Sequence, residues 1–521
     1  MSPRDQAAGL LIVRLGSNMT PPRAAEADAD AVAALMDRWP IGGLILFNGS
    51  WPETRATLAR LQARSDAGLL VTTDMERGLG QQVAGASTHP HLAALAAAVA
   101  SGRADDGLVR EVAEQSAREA LACGVHVTFS PVADVDREAR NPIIGDRAFG
   151  PDPALAARLV AAFVEGAQAG GQLCTAKHFP GHGGTVGDSH AELPTVTDDR
   201  KTLDATDLVP FRAAVAAGVD LVMTAHVAVP ALDPTGVPAT LSAPILRDLL
   251  RGELGFEGAV VTDSLHMAGI KSDRQSEGEL AVEMLRAGVD LFVDPESPEA
   301  IIEAVGAAVE GGSLDPAVLD AAHARVAALR ARLRARFGDA VFRDPALAYP
   351  PDVVGDAAHA ATAQRAARAA VETAWGRLPD LGDGDGVLVV ALRPSLRPTD
   401  PVPLPFAEAV ASALPRAEVA VLTADAPAAV LDQVRARADA ARRVVLATVV
   451  RPAAWHAFGL AERERALALD LLAARPATLV VLGGLRGLTG LRSAEAALVT
   501  YSDAAPSQRA AALALAQGDA G

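Results

Sequence analysis

The sequence predicts an α/β protein with an N-terminal (β/α)8 TIM barrel and a smaller C-terminal α/β domain whose sheet is mainly parallel. Short apolar runs alternate with helical patterns along the chain, and this alternation is typical of βα units. The first part of the chain holds eight such runs, which is the strand number of this barrel. At 521 residues the chain is also too long for one ordinary domain.

The eight predicted barrel strands are short apolar segments, and their order sets the order of the barrel. We predict that the barrel covers residues 1–340. The strands are Leu10–Leu15, Gly43–Phe47, Leu69–Asp74, Val125–Pro131, Gln172–His178, Leu221–His226, Ala259–Asp263 and Leu291–Asp294.

The helical and strand patterns loosen after an arginine-rich helix, which predicts a linker over residues 341–356. A second domain is predicted over residues 357–521. Its apolar runs again alternate with helical stretches, so a mainly parallel sheet is expected. The predicted strands are Gly386–Leu392, Ala417–Thr423, Arg443–Val449, Thr478–Gly483 and Ala497–Tyr501.

The composition argues against several classes of partner. The formal charge of -17 disfavours nucleic acids and anionic membranes, since both select basic surfaces. Cys123 and Cys174 are the only cysteines, so no disulfide framework is expected. Because neither a signal peptide nor a membrane span is evident, we expect a cytoplasmic protein. No dinucleotide fingerprint or metal-ligand motif is present, so no cofactor or metal is expected.

One short loop carries an unusual density of chemically active residues. The run Lys177-His178-Phe179-Pro180-Gly181-His182-Gly183-Gly184 is followed by Asp188-Ser189-His190, and it holds three of the 11 histidines. Lysine and histidine donate hydrogen bonds to polar ligands, glycine permits close backbone approach, and an aspartate beside a histidine can fix its tautomer. These residue types predict an active site. A surface turn with incidental histidines is the alternative.

Other polar residues end predicted strands, where a barrel places its chemistry. Asp74, His226, Asp263 and Asp294 do so. Any of them could instead cap a helix, and Asp294 before Pro295 fits a cap or turn better than a catalytic role.

Three further motifs accompany the histidine loop: Thr73-Asp74-Met75-Glu76, the run 141–150 beginning Asn141-Pro142, and Val261-Thr262-Asp263-Ser264-Leu265-His266-Met267. With these motifs the chain resembles the family 3 glycoside hydrolases, and within them the β-N-acetylglucosaminidase branch. That branch is marked by the Lys177–Gly183 run followed by the Asp-Ser-His triplet. The resemblance covers nearly the whole chain, because many bacterial members carry a second α/β domain.

The resemblance implies a role for each candidate residue. Retaining glycoside hydrolysis needs a nucleophilic carboxylate and a proton donor, and the resemblance assigns these roles to Asp263 and to His190 paired with Asp188. Imidazole, with an ordinary pKa near 6.5, can donate and accept protons at neutral pH. Asp74, Arg147, Lys177 and His178 match residues that bind the terminal sugar, while His226 and Met267 are expected to line the pocket.

Structural alternatives stay open for these residues. Asp263 could cap a helix, Lys177 could form a structural salt bridge, and Asp188 with His190 could form only a turn. His182 could brace the loop, and His226 and Met267 could be core residues. The chain also departs from the family after the third strand, where Arg77-Gly78-Leu79-Gly80 replaces a glycine pair and an arginine. This change affects the expected contacts beyond the terminal sugar.

The resemblance implies a cytoplasmic retaining exo-β-N-acetylglucosaminidase that acts on a small carbohydrate, such as a muropeptide from cell-wall recycling. A β-glucosidase, an N-acetylglucosaminide phosphorylase and an inactive sugar-binding protein on the same scaffold are the alternatives. The sequence leaves the oligomeric state and the work of the second domain open.

Overall fold

The computed structural model describes residues 1–19, 21–271, 275–344, 348–393, 402–451 and 459–518. The chain forms two compact units. Unit 1 comprises residues 1–87, 109–144 and 149–359, and unit 2 comprises 88–108, 145–148 and 360–521. The predicted linker 341–356 includes residues 345–347, which lie outside the described ones. The predicted domain limits therefore stay a prediction.

Unit 1 contains a barrel of eight parallel strands, as the sequence predicted. Each predicted strand lies within three residues of its observed limits. The sheet runs β8-β1-β2-β3-β4-β5-β6-β7, and a parallel bridge between Val261 and Leu291 links the two ends. The strands are β1 (Leu11–Leu15), β2 (Gly43–Leu46), β3 (Leu70–Thr73), β4 (Val127–Thr128), β5 (Leu173–Phe179), β6 (Leu221–Thr224), β7 (Ala259–Val261) and β8 (Phe292–Val293).

The helices of unit 1 begin and end at recognisable signals. Asp152 caps one helix by accepting hydrogen bonds from the backbone of Ala154 and Leu155, and Ser276 forms a capping box with Glu279. The helices are Pro3–Ala8, Ala25–Met36, Glu53–Gln62, Asp106–Cys123, Pro153–Gly170, Arg200–Ala205, Leu208–Ala216, Glu277–Ala287, Pro298–Glu310 and Pro316–Phe337, with a π-helix at Pro244–Glu253.

The long helix Pro316–Phe337 fixes the amino ends of the barrel strands. Arg325 pairs with Asp290 at 2.8 Å, and Arg332 pairs with Asp220 at 2.6 Å. Arg330, which is buried, donates to the carbonyl oxygens of Gly68 and Gly42, both at 2.8 Å. These contacts hold the end of the barrel opposite to the one where the active site is expected.

A buried carboxylate joins the segments of unit 1 that lead to unit 2. Glu119 Oε1 accepts hydrogen bonds from Ser87 Oγ, from the backbone of Gly355 and from His359 Nδ1, at 2.5, 3.0 and 2.8 Å. Burial acts to raise the pKa of Glu119, but these bonds lower it below its ordinary value. One ionised side chain thus fixes two separate parts of the chain.

Unit 2 has a six-stranded sheet in the order β9-β14-β13-β12-β10-β11. Five strands are parallel, and β9 runs antiparallel to β14. The five predicted strands match to within two residues, whereas β9 was not predicted. The strands are β9 (Glu372–Trp375), β10 (Val387–Arg393), β11 (Glu418–Thr423), β12 (Arg443–Val449), β13 (Ala477–Leu482) and β14 (Ala496–Val499).

Helices cover both faces of this sheet. Val389 and Val445 pack in one cluster with Phe406, whereas their neighbours Leu388 and Val444 pack in another. This alternation is why the central strands carry apolar residues on both faces. The helices are Leu92–Ala100, Ala357–Ala370, Pro405–Ala413, Ala428–Ala440, Glu462–Ala474 and Ala505–Gln517. Among the described residues, none of the helices combines the length and apolar character needed to cross a membrane.

The segment 88–108 belongs to unit 2 although it follows the third barrel strand. Its backbone N–H at His91 donates to Ser502 Oγ at 3.1 Å, and His91 Nδ1 lies 2.8 Å from the same oxygen. Arg103 donates to the carbonyl oxygen of Val371 at 2.5 Å. Unit 2 is therefore built from separate parts of the chain.

Candidate active site

Lys177 joins two carboxylates at the carboxyl end of the barrel. It lies on β5, is almost fully buried, and its Nζ lies 2.7 Å from Asp74 Oδ1 and 2.8 Å from Glu76 Oε1. Asp74 follows β3 and keeps 31% of its side chain exposed. Lys177 therefore forms the salt bridge that the sequence left as an alternative, while Asp74 keeps surface available for a ligand.

Asp134, which follows β4, contacts both His178 and His182. Its Oδ2 lies 2.7 Å from His178 Nδ1, and its Oδ1 accepts the backbone N–H of His182 at 2.6 Å. Burial acts to raise the pKa of Asp134, but His178 and His182 lower it below its ordinary value. An ionised carboxylate only accepts hydrogen bonds, so His178 Nδ1 carries the proton and Nε2 faces away.

Asp263 follows β7, with 22% of its side chain exposed. Its Oδ1 accepts the backbone N–H of Ser264 at 2.8 Å, and its Oδ2 lies 3.9 Å from His178 Nε2. Burial acts to raise the pKa of Asp263, but His178, His226, Lys177 and His190 lower it to about 2. The next helix that the structure describes begins at Glu277, so the helix-cap alternative for Asp263 is wrong.

His226 and Met267 are both buried. His226 Nδ1 lies 2.8 Å from Thr240 Oγ1, and Nε2 lies 3.3 Å from the carbonyl oxygen of Ser264. Burial lowers the pKa of His226, which favours the neutral ring. Met267 is 1% exposed. Both residues have the burial of core residues, and their predicted contact with a ligand stays a prediction.

Asp188 and His190 form the pair that the sequence predicted. His190 Nδ1 lies 2.7 Å from Asp188 Oδ1, and the same oxygen accepts the His190 backbone N–H at 2.9 Å. Burial acts to raise the pKa of Asp188, but the bonds to His190 lower it. Both side chains are a little under one-fifth exposed, and the predicted proton-donor role of His190 stays a prediction.

The loop that carries this pair is anchored on two sides. His182 Nε2 lies 2.9 Å from Ser189 Oγ, and the Ser189 carbonyl oxygen accepts the backbone N–H of Gly269 at 3.0 Å. A Cβ atom at Gly183 would lie 1.8 Å from the carbonyl oxygen of Val135, so this position requires glycine. His182 braces the loop, as one sequence-based interpretation held.

Two further residues singled out from the sequence are Arg147 and Asp294. Arg147 ends the short 3-10 helix Gly145–Arg147, which belongs to unit 2, and its predicted role stays a prediction. Asp294 is buried and forms an ion pair with Arg14 of β1. Sequence reasoning missed Asp134 altogether, because its partners lie 44 and 48 residues further along the chain.

The sequence model described as the glycosyl hydrolase family 3 N-terminal domain matches residues 5–329, which include every strand of the barrel. The chain belongs to glycosyl hydrolase family 3. Among the described residues of this family 3 chain, no group of three or more histidine, cysteine, aspartate or glutamate side chains is arranged to hold a metal ion.

Similar proteins carry hexosaminidase names. A β-N-acetylglucosaminidase/β-glucosidase of Cellulomonas fimi is 34% identical over 340 residues, which are 64% of this chain and 58% of that protein. A β-hexosaminidase of Alkalilimnicola ehrlichii is 38% identical over 269 residues, 50% of this chain and 75% of that protein. This family 3 chain thus spans little more than half the length of its Cellulomonas relative.

A solved structure resembles the whole family 3 chain. The family 3 β-N-acetylglucosaminidase from Paenibacillus sp. str. FPU-7 superposes with a TM-score of 0.86 and 28% identity, over 100% of this chain and 97% of that one. A β-glucoside phosphorylase superposes with a TM-score of 0.84 at 19% identity, over 100% of this chain and 92% of that one, which shows a common fold alone.

Proposed function

We propose that this chain is a retaining exo-β-N-acetylglucosaminidase. The observation that carries the proposal is that an ionised carboxylate, Asp263, and the Asp188–His190 pair occur on two joined loops. The loop with Asp188 and His190 is hydrogen-bonded to the loop that follows β7 and Asp263. These are the two functions that retaining glycoside hydrolysis requires. The hexosaminidase names of similar proteins support the choice of an amino sugar.

In the first step, Asp263 attacks the anomeric carbon and forms a covalent glycosyl ester. Its Oδ1 is held by Ser264, so Oδ2 is the attacking oxygen. The bond to the leaving oxygen breaks, and that oxygen takes the proton from His190 Nε2. Asp188 accepts a hydrogen bond from His190 Nδ1, and its negative charge stabilises the protonated ring.

In the second step, neutral His190 Nε2 removes a proton from water, and the water oxygen attacks the anomeric carbon. The ester bond to Asp263 then breaks and releases the sugar with its original stereochemistry. The nucleophile is free again as a carboxylate, and His190 is again protonated. No atom outside substrate, water and these side chains is needed.

Substrate selection follows from the 2-acetamido group, which is larger than a hydroxyl and brings both a donor and an acceptor. Asp74 and His178 offer polar atoms for the remaining hydroxyls. Our proposal also names muropeptides as the natural substrates and the cytoplasm as the location of the protein. The two cysteines, both buried and free, are compatible with a reducing compartment.

A panel of aryl β-glycosides that differ at the 2-position, assayed with and without phosphate, tests the proposal. We expect kcat/KM for the N-acetylglucosaminide to exceed that for the glucoside by at least about tenfold, which corresponds to about 1.4 kcal/mol. Hydrolysis should need no phosphate. Equal activity on the glucoside would reject the specificity, and a strict phosphate requirement would identify a phosphorylase. No turnover of any glycoside would indicate an inactive sugar-binding protein.

A further inference from the structure

We propose that Asp294 is a positioning residue for the nucleophile: with Arg14 it fixes Ser264, whose backbone N–H holds Asp263 Oδ1. This inference rests on the proposed function, because it concerns the carboxylate that attacks the sugar. Asp294 itself has no contact with Asp263 among the bonds described, so its action passes through Ser264.

The nucleophile has two oxygens in different environments. Oδ1 accepts the Ser264 backbone N–H at 2.8 Å, whereas Oδ2 lies 3.9 Å from His178 Nε2. The distance to His178 exceeds that of a hydrogen bond. Because Oδ1 is fixed by a backbone group, rotation of the carboxylate is restricted and Oδ2 stays on the side of His178 Nε2. The position of the Ser264 backbone therefore sets the direction of attack.

The Ser264 backbone is in turn fixed by its own side chain. Ser264 Oγ donates to Asp294 Oδ2 at 2.7 Å and accepts the backbone N–H of His266 at 3.3 Å. Its carbonyl oxygen lies 3.3 Å from His226 Nε2. Ser264 thus bonds to residues that follow two different strands, β8 and β6.

Asp294 is a rigid anchor for this bond. Its side chain is 1% exposed, and Arg14 donates from Nε to Oδ1 at 2.7 Å and from Nη2 to Oδ2. Such a paired contact fixes the plane of both groups. The Asp294 backbone N–H donates to Ile12 at 2.8 Å, and its φ of 57° is uncommon for a residue with a side chain. A simple turn residue would not need a buried charge partner.

The test is the rate at which a 5-fluoro N-acetylglucosaminyl fluoride forms a covalent adduct on Asp263, followed by mass spectrometry. Ser264→Ala removes the hydroxyl and leaves Asp294 paired with Arg14. Its matched control is Ser242→Ala, because Ser242 is also buried and donates from Oγ to a buried carboxylate, Asp233, at 2.6 Å. Asp294→Asn is a second variant, and circular dichroism checks that each protein is folded.

We expect Ser264→Ala and Asp294→Asn to slow the maximal labelling rate by about 10- to 100-fold, the range for a misplaced reacting group. The reagent concentration at half-maximal rate should stay within about twofold of wild type, and Ser242→Ala should label as wild type does. Labelling of Ser264→Ala at the wild-type rate, or weaker reagent binding with an unchanged maximal rate, would overturn the positioning role. Absence of an adduct in the wild-type protein would instead refute the proposed function.

Discussion

His182 Nε2 and Ser189 Oγ lie 2.9 Å apart, and both side chains are buried. Ser189 stands between the two members of the Asp188–His190 pair, and His182 belongs to the loop that Asp134 fixes through its backbone. This bond connects the loop after β5, the strand that carries Lys177 and His178, to the segment that carries the Asp188–His190 pair. We therefore expect this bond to hold His190, the proposed proton donor, in position.

Removing either partner of this bond should impair protonation of the leaving group. We expect His182→Ala and Ser189→Ala each to lower kcat by about tenfold on glycosides with poor leaving groups, since general acid catalysis is worth about 10²–10⁴-fold and is only partly lost. Glycosides with good leaving groups should change less. The double variant should be no slower than His182→Ala, because residues in direct contact are not additive. Fully additive losses would show that the bond does not couple the two residues.

The nucleophile assignment predicts that Asp263→Asn is folded but inactive. The amide keeps the shape of the carboxylate and accepts the Ser264 N–H, but it cannot attack the anomeric carbon. We expect activity to fall by at least about 10⁴-fold while circular dichroism is unchanged. Substantial remaining turnover, or a covalent adduct on another carboxylate, would contradict the assignment.

The acid/base assignment predicts a loss that depends on the leaving group. His190→Ala should slow substrates with poor leaving groups by about 10²–10⁴-fold, because these need a proton as the bond breaks. The glycosylation step of activated aryl glycosides should be affected much less. Equal losses on both substrate types would exclude His190 as the proton donor.

Glu119 should make stability depend on pH. Its pKa is lowered in the folded state, so its contribution is present above the ordinary glutamate pKa near 4.3 and is lost as pH falls through the lowered value. Glu119→Gln should therefore lower the free energy of unfolding by about 1–3 kcal/mol at neutral pH. The difference in Tm between wild type and this variant should become smaller below about pH 4.

The control for this prediction is Glu257→Gln, which removes the same charge from an exposed position. It should leave Tm almost unchanged across the pH range. A Tm gap for Glu119→Gln that stays constant from pH 7 to pH 3 would mean that its charge does not stabilise the fold.

The sequence predicted the barrel because buried parallel strands leave uninterrupted apolar runs, such as the one that ends at Lys177. It did not predict β9, since Glu372–Trp375 is short, runs antiparallel at the sheet edge and is mostly half-exposed. An amphipathic edge strand that follows a helix directly has no apolar run to mark it.

The candidate active site, like the fold, could be predicted from the sequence only in part. Asp188 and His190 are two residues apart, so their pairing could be predicted from spacing. Asp134 and Asp294 could not be assigned their partners, because those partners are brought near by the closure of the barrel. Asp294 was interpreted as a cap or turn residue, and its buried contacts with Arg14 and Ser264 distinguish it from one.

Unit 2 is built from three separate segments of the chain, which limits how it can be produced alone or moved to another protein. A fragment that begins at residue 360 would lack segments 88–108 and 145–148. Ser502 would then lose the hydrogen bond from His91, and the Val371 carbonyl would lose Arg103. A single truncation therefore cannot produce unit 2 with all of its segments. Grafting it onto another barrel would require replacing that barrel's third and fourth βα connections as well.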